Sequence, residues 1–201
     1  MMYLKIIKYR IIILIACIIL PITLDLDYFA THRLTVTEMK DFESNFFSNI
    51  GETSINYSIS SELCPPASDK ELAQPLLFKR PETSLPTLEI KYYYTPSDSL
   101  VHCATYDVAS FDYIKEEILN SYYSNTRLVT AFNEYFNVME SVLSQTITTP
   151  VRIDEKPILK NSEVGEYWSR NAVWENEETN IRLFMILGSN TRRIRVVQYW
   201  K

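Results

Sequence analysis

Two alternating segments near the carboxyl end constrain the fold more than any other feature of the chain. Residues 181–187 and 192–200 flank 188–191, a run of Gly, Ser, Asn and Thr that favours a hairpin turn. The alternation predicts an apolar face made of cross-strand pairs: Leu187 with Arg192, Met185 with Ile194, and Leu183 with Val196. Because a shift of one residue would turn both faces over, this register is strongly specified.

The opposite face of this hairpin is the main candidate for an interaction surface. It combines arginine with aromatic side chains, as interface hot spots do: Arg182, Phe184, Arg193, Arg195 and Tyr199. Arginines grouped in this way can also bind a carboxylate or a phosphate. The simpler interpretation, which we favour, is a solvent-facing surface whose arginines pair with nearby carboxylates, namely Glu175, Glu177 or Glu178.

The order of the remaining elements predicts an α+β fold. Thr35 and Glu38 form a capping-box pattern at the start of a helix that Gly51 would end. Further strands are expected at 55–60, 87–95 and 100–108, and amphipathic helices at 111–123 and 127–145. Strands and helices are grouped along the chain, which favours a mostly antiparallel sheet with the helices packed on one face.

Proline sets residues 64–86 apart from the rest of the chain. Five prolines interrupt any helix or strand ladder there: Pro65, Pro66, Pro75, Pro81 and Pro86. We therefore predict a Pro-rich loop or crossover over this range. A loop of such length is uncommon unless it is functional or mobile, so the range is a second candidate recognition region.

The first thirty residues indicate where the protein resides. Lys5, Lys8 and Arg10 precede an uncharged apolar run over 11–24, a pattern typical of an export signal or a membrane anchor. We expect the membrane to be contacted through residues 4–24, and residues 31–201 to form a single extracytoplasmic domain of ordinary size.

Four interpretations of this amino-terminal segment are compatible with its sequence. It can be an uncleaved signal anchor, which we favour because no small-residue cleavage site follows the run, or a secretory signal peptide removed near residue 30. Leu14-Ile15-Ala16-Cys17 looks like a bacterial lipobox, which would make Cys17 the lipidated residue of a lipoprotein. The run can also be the first buried helix of a soluble protein.

Composition excludes two classes of function. The formal net charge is −5, whereas a nucleic-acid-binding protein needs a basic surface. The chain has only three glycines, and phosphate-cradling nucleotide loops need several for close backbone approach. We therefore expect neither nucleic acid nor a nucleotide cofactor as a partner.

Two cysteines in the exported part predict a disulfide. Cys64 and Cys103 are the only cysteines after residue 30, and an even pair in an oxidising compartment is a disulfide candidate. The alternative is two buried free thiols, which pack as small apolar side chains.

No catalytic or metal-binding pattern is visible. His102 and Cys103 are neighbours in a predicted strand, so their side chains point to opposite faces and cannot form a catalytic pair. The usual His and Cys spacing of a zinc site is absent, and we expect no metal and no cofactor. Paired carboxylates such as Asp98 and Asp107 would be the basis of a hydrolase, but nothing singles them out.

These observations favour a non-enzymatic, membrane-tethered extracytoplasmic domain that binds another protein or a component of the cell envelope. The alternative is a secreted or periplasmic soluble protein that binds a small ligand or an anion through the arginine-bearing face. A weaker alternative is a hydrolase with an acidic site.

Overall fold

One antiparallel sheet forms the frame of the protein. The computed structural model describes residues 29–51, 56–80, 88–108, 126–163, 165–188 and 191–201. Within these ranges the strands are β1 (Asn49–Gly51), β2 (Leu76–Arg80), β3 (Leu88–Tyr94), β4 (Val101–Val108), β5 (Arg152–Ile153), β6 (Ile158–Ser162), β7 (Gly165–Glu175), β8 (Thr179–Gly188) and β9 (Arg192–Trp200). The helices are α1 (Val36–Ser44) and α2 (Thr126–Thr146), with a short 3-10 helix at Pro65–Ser68. The prediction of an α+β fold with a mostly antiparallel sheet is confirmed.

The order of strands across the sheet is β1-β2-β3-β4-β9-β8-β7-β5, and β6 also pairs with β7. The predicted register of the carboxyl-terminal hairpin is confirmed, with Met185 opposite Ile194 and Leu183 opposite Val196. The predicted pairing of 87–95 with 100–108 is also confirmed, as β3 and β4. The sheet edges are β1 on one side and β5 with β6 on the other. β5 and β6 lie in a polar stretch of the sequence for which no strand was predicted.

The long helix α2 packs on one side of the sheet, which we call the inner face. Its apolar stripe is buried as the spacing predicts: Leu128, Phe132, Tyr135, Met139 and Val142, joined by Phe136 and Leu143. Arg170 of β7 ties the helix to the sheet, because its Nη1 donates to Asn133 Oδ1 at 2.7 Å and to Asn137 Oδ1 at 2.6 Å. The two asparagine side chains therefore anchor the helix to the sheet.

The first helix begins where predicted and ends earlier. Thr35 Oγ1 accepts from the Glu38 backbone N–H at 3.3 Å, and the Glu38 carboxylate accepts from the Thr35 N–H at 2.8 Å. The helix stops at Ser44, and the chain then turns through Phe47, whose φ is 53°. Gly51 is not a helix cap. It belongs to β1, because pairing with β2 satisfies the backbone there.

Residues 56–75, which we call the outer strap, cover part of the other, outer face. The predicted strand is wrong for 56–60, which pair with no strand although their side chains alternate in exposure. The Tyr57 N–H donates instead to the Gln74 side chain at 2.9 Å. The predicted loop at 64–86 is wrong in two places, because it contains the 3-10 helix and β2.

The outer strap seals a second apolar cluster against the sheet. The buried members of this outer cluster are Cys64, Tyr93, Cys103, Phe184 and Val197. Ile59, Leu63 and Leu72 of the strap pack against it. The strap therefore takes the place of a helix layer on the outer face.

Two predicted segments lie outside the described residues: the membrane segment 4–24 with Cys17, and the helix at 111–123. Neither described helix has the length and apolarity that a bilayer crossing requires.

Candidate functional site

A charged cavity of about 480 Å³ opens on the outer face of the sheet. Strands β3, β4 and β9 form its floor, and residues 57–60 and Leu63 of the outer strap form one wall. The strap is held in place by the outer cluster beside it, so the wall belongs to the packed structure. We call this feature the basic cavity.

The lining of the basic cavity contains more basic than acidic side chains. Four basic side chains line it, Lys91, Arg192, Arg193 and Arg195, and two carboxylates, Glu89 and Asp107. The lining therefore carries two more positive than negative charges, in a chain whose net charge is −5. Such a local excess favours an anionic ligand.

Strand alternation explains how these residues meet. Glu89, Lys91 and Tyr93 share the outer face of β3, and Glu89 lies directly opposite Asp107 of β4. Two carboxylates facing each other repel unless a cation lies between them. The Lys91 ammonium supplies it, because its Nζ contacts Glu89 Oε1 and lies 3.3 Å from Asp107 Oδ2. The Lys91 Nζ also lies 4.7 Å from the ring centre of Tyr57, which links the floor to the strap.

Two arginines of β9 approach Asp107 very differently. Arg195 lies opposite Asp107 in the register and donates to it through Nε and Nη2, at 2.6 and 2.7 Å. Arg193 Nε lies 3.7 Å from Asp107 Oδ1, beyond hydrogen-bond distance, and its side chain is 45% exposed. Arg193 can thus turn toward a ligand while Arg195 holds the floor.

Thr105 supplies an uncommitted polar group in the lining. The residue is 1% exposed, and its Oγ1 has no hydrogen-bond partner among the described residues. A buried hydroxyl without a partner carries a free-energy cost, which a ligand atom at hydrogen-bond distance would relieve. Beside it, burial raises the pKa of Tyr93 well above its usual value, so this phenol stays protonated.

The structure divides the predicted interaction face. Arg193 and Arg195 line the basic cavity. Arg182 and Tyr199 line a separate cavity of about 150 Å³, and Phe184 is buried in the outer cluster. Leu63 of the strap borders both cavities, so the two arginine groups lie on either side of the strap.

The predicted carboxylate partners of the arginines were wrong for Arg195. Asp107 of β4 takes that role, whereas Glu175 binds the Lys201 ammonium at 2.8 Å. Sequence reasoning missed Lys91, Glu89 and Asp107 as part of the site. The alternation of β3 already places Glu89 and Lys91 on one face of the strand. Nothing in the sequence shows that β4, which carries Asp107, lies beside β9.

The structure neither pairs Asp98 with Asp107 nor groups metal ligands among the described residues. Asp98 lies in the β3–β4 turn and accepts from the Leu100 N–H at 3.0 Å, at the far end of β4 from Asp107. Asp98 and Asp107, the example of paired carboxylates for a hydrolase, are therefore not brought together. Among the residues that the structure describes, no group of three or more His, Cys, Asp and Glu side chains is placed to hold a metal ion.

Cys64 and Cys103 meet inside the outer cluster as free thiols. Both are fully buried and belong to the same packed cluster. Interaction with the neighbouring Cys103 side chain lowers the pKa of Cys64, whereas burial raises the pKa of Cys103. The structure brings together the two residues of the predicted disulfide without a bond between them.

No protein family, curated protein or solved structure matches this chain.

Proposed function

We propose that this protein is an extracytoplasmic binding domain, tethered to the membrane through residues 4–24, whose ligand carries a carboxylate or phosphate group held in the basic cavity. The observation that carries the proposal is the excess of basic over acidic side chains in the lining of the basic cavity, in a chain whose net charge is negative. Planar guanidinium groups bind both kinds of anion through paired hydrogen bonds.

Each part of the lining has a role in this proposal. Arg193 is exposed and only loosely paired, so it contacts the anion directly. The Thr105 hydroxyl donates a hydrogen bond from the floor. Arg195 and Lys91 remain on Asp107 and keep the local potential positive.

Binding without catalysis fits the pairing of the two carboxylates. Asp107 accepts two hydrogen bonds from Arg195, and Glu89 is engaged by Lys91. A general base needs a carboxylate within reach of a substrate proton, and here both are occupied by cations. We therefore propose a binding role for this cavity, with a protein or envelope component as the bearer of the anionic group.

The binding proposal is tested by titrating the full-length chain with inorganic phosphate and, separately, with succinate. The measurement is isothermal calorimetry on the native chain, Arg193→Gln and Arg182→Gln. A hydrogen bond between charged groups contributes about 1.5–3 kcal/mol. Arg193→Gln should thus weaken binding by roughly tenfold or more. Arg182→Gln removes the same charge outside the cavity and should leave binding nearly unchanged.

The two probes distinguish the class of anion, because the preferred one binds more tightly. If Arg193→Gln binds phosphate and succinate as tightly as the native chain does, the basic cavity is not the binding site. So would equal losses in the two variants, since only the net charge would then matter.

The tether is tested by fractionating cells and measuring the intact mass of the protein. The full-length mass in the membrane fraction supports an uncleaved anchor. A soluble protein truncated near residue 30 would favour a secreted or periplasmic binding protein. A chain that begins at Cys17 with an added lipid mass would show a lipoprotein, and either result would overturn the anchor.

A further inference from the structure

We propose that the end of the domain that carries Phe47 and Ile50 rests on the membrane surface, with these two side chains inserted among the lipids. This inference rests on the proposed tether at residues 4–24. It goes further by assigning a face of the folded domain to the bilayer.

The two side chains are the most exposed large apolar groups among the described residues. Phe47 is 84% exposed and Ile50 is 68% exposed. Phe47 also has a φ of 53°, a left-handed conformation that bulky side chains rarely adopt. The turn after α1 therefore presents an aromatic ring to the outside at a cost in backbone free energy, and such strain is often kept where it serves a function.

A cavity of about 490 Å³ with a mixed lining lies next to this turn. Phe29, Leu34, Phe42 and Phe46 line it, together with the polar Asn45 and His32. Phe46 precedes Phe47 directly, so the cavity and the exposed side chains form one surface. Exposed apolar side chains beside a cavity that aromatic rings line favour an interaction with a protein or a membrane.

The short segment between the proposed membrane segment and Phe29 favours a membrane over a protein as the partner. Phe29 is 1% exposed and is thus fixed in the fold beside the cavity. The proposed membrane segment ends at Leu24, five residues before Phe29. Five extended residues span at most about 18 Å. Phe29 must lie within that distance of the hydrocarbon edge, and the cavity that it lines together with Phe46 is brought close to the bilayer with it.

The other exposed apolar side chains lie on the far edge of the sheet. Val151, Ile153, Ile158 and Leu159 belong to β5 and β6 or flank them, whereas Ile50 belongs to β1. Because β1 and β5 are opposite ends of the strand order, one edge faces the bilayer and the other faces away. The far edge supplies a control position.

Two inserted side chains suffice only because the domain is tethered. Burial of one Phe and one Ile side chain would by itself bind a free domain only weakly. A tether raises the effective concentration of the face at the membrane to the millimolar range or above. The face then remains on the bilayer without electrostatic attraction, so uncharged lipids serve as well as anionic ones.

The test uses the full-length chain in phosphatidylcholine vesicles that contain lipids brominated in the upper part of the acyl chains. A tryptophan is introduced by Phe47→Trp, or by Val151→Trp at the far edge, where the native side chain is 65% exposed. Bromine quenches tryptophan at close range, and the parent chain supplies the background from the native tryptophans. Circular dichroism checks that both variants fold.

We expect the emission added by Phe47→Trp to be largely quenched, and that added by Val151→Trp to be unaffected. Equal quenching of the two would overturn the docked face. Flotation of the vesicles separates this failure from failure of the tether. A chain that floats with the vesicles but shows no quenching at position 47 loses only the docked face, whereas a chain that does not float loses both proposals.

Discussion

Arg195 of β9 and Asp107 of β4 form a two-point ion pair across neighbouring strands, with Nε 2.6 Å from Oδ1 and Nη2 2.7 Å from Oδ2. Two parallel hydrogen bonds fix the guanidinium plane against the carboxylate. Lys91 and Arg193 approach the same carboxylate at 3.3 and 3.7 Å. Asp107 is therefore the residue that both orients the cations of the basic cavity and limits their excess charge.

Replacing Asp107 by Asn should have opposite effects on binding and stability. The excess charge of the cavity lining rises by one, so phosphate affinity should increase. The free energy of unfolding should fall by roughly 1–3 kcal/mol, because Arg195 and Lys91 lose a charged acceptor in a largely buried place. Calorimetry with phosphate and urea unfolding measure the two effects.

Glu163→Gln is the matched control for Asp107→Asn, because it removes the same charge from an exposed turn. It should change neither quantity appreciably. Equal gains in phosphate affinity in the two variants would show that only the net charge of the chain matters.

A second ion pair, Glu43 with Arg80, lies inside the inner core and should be a strong determinant of stability. Both residues are almost fully buried, and Arg80 Nη2 lies 2.6 Å from Glu43 Oε1. Tyr92 and Ser48 also donate to the Glu43 carboxylate, each at 2.6 Å. Burial raises the pKa of Tyr92 well above its usual value, so its hydroxyl remains a donor.

Glu43→Gln should cost about 3–5 kcal/mol of unfolding free energy, because the Arg80 charge is then left in the core without a counter-charge. The double variant Glu43→Leu with Arg80→Met removes both charges and should be less destabilised than the single variant. Denaturant unfolding compares them. A double variant at least as unstable as Glu43→Gln would contradict an uncompensated charge as the cause.

The sequence predicts those parts of the fold where local pattern and tertiary pairing agree. The β8–β9 register follows from alternation alone, and the start of α1 follows from Thr35 and Glu38. The predicted end of α1 was wrong, because Ile50 and Gly51 pair with β2, a strand that lies further along the sequence. The order β3-β4-β9 is a long-range choice that no local pattern encodes.

The site was predicted in part for the same reason. Arg193 and Arg195 were placed on the correct face, because side-chain alternation along β9 is local. Their partner Asp107 comes from a strand that lies far away in the sequence. The burial of Phe184 depends on the outer strap, whose irregular path is determined by packing and not by propensity.

His102 should make the protein less stable at mildly acidic pH. It is 1% exposed, its Nε2 lies 3.0 Å from Thr95 Oγ1, and its Nδ1 has no hydrogen-bond partner among the described residues. Burial lowers the pKa of His102 below 6.5, with Lys70 and Arg33 adding to the effect and Asp98 opposing it. The unfolded chain therefore binds the proton at a higher pH than the folded chain does.

Because the folded pKa is depressed, the contribution of His102 to stability is complete above about pH 6.5 and is lost as the pH falls toward the folded pKa. Urea unfolding of the native chain between pH 7.5 and 5 should show this decline. His102→Gln should remove it, and His32→Gln, at an exposed position, should retain it. Identical pH profiles for the native chain and His102→Gln would contradict the role of His102.

The two thiols of the outer cluster should form a disulfide when the domain is exported. Cys64 and Cys103 are members of the same cluster, and the lowered pKa of Cys64 makes it the attacking thiol. Exchange with a low-mass disulfide transfers two electrons to that oxidant, which leaves as two thiols, and the bond between the cysteine sulfurs forms. The bridge would fasten the strap that walls the basic cavity to β4.

Oxidation should raise the free energy of unfolding by about 3–4 kcal/mol in the chain-entropy account. The check is to denature exported protein without reductant, treat it with an alkylating agent and measure the intact mass. Cys64 and Cys103 should remain unmodified, and both should react after reduction. Cys64→Ser should leave Cys103 reactive and should abolish the stability difference between oxidising and reducing buffers. Alkylation of both cysteines before any reduction would show that the exported domain keeps them as free thiols.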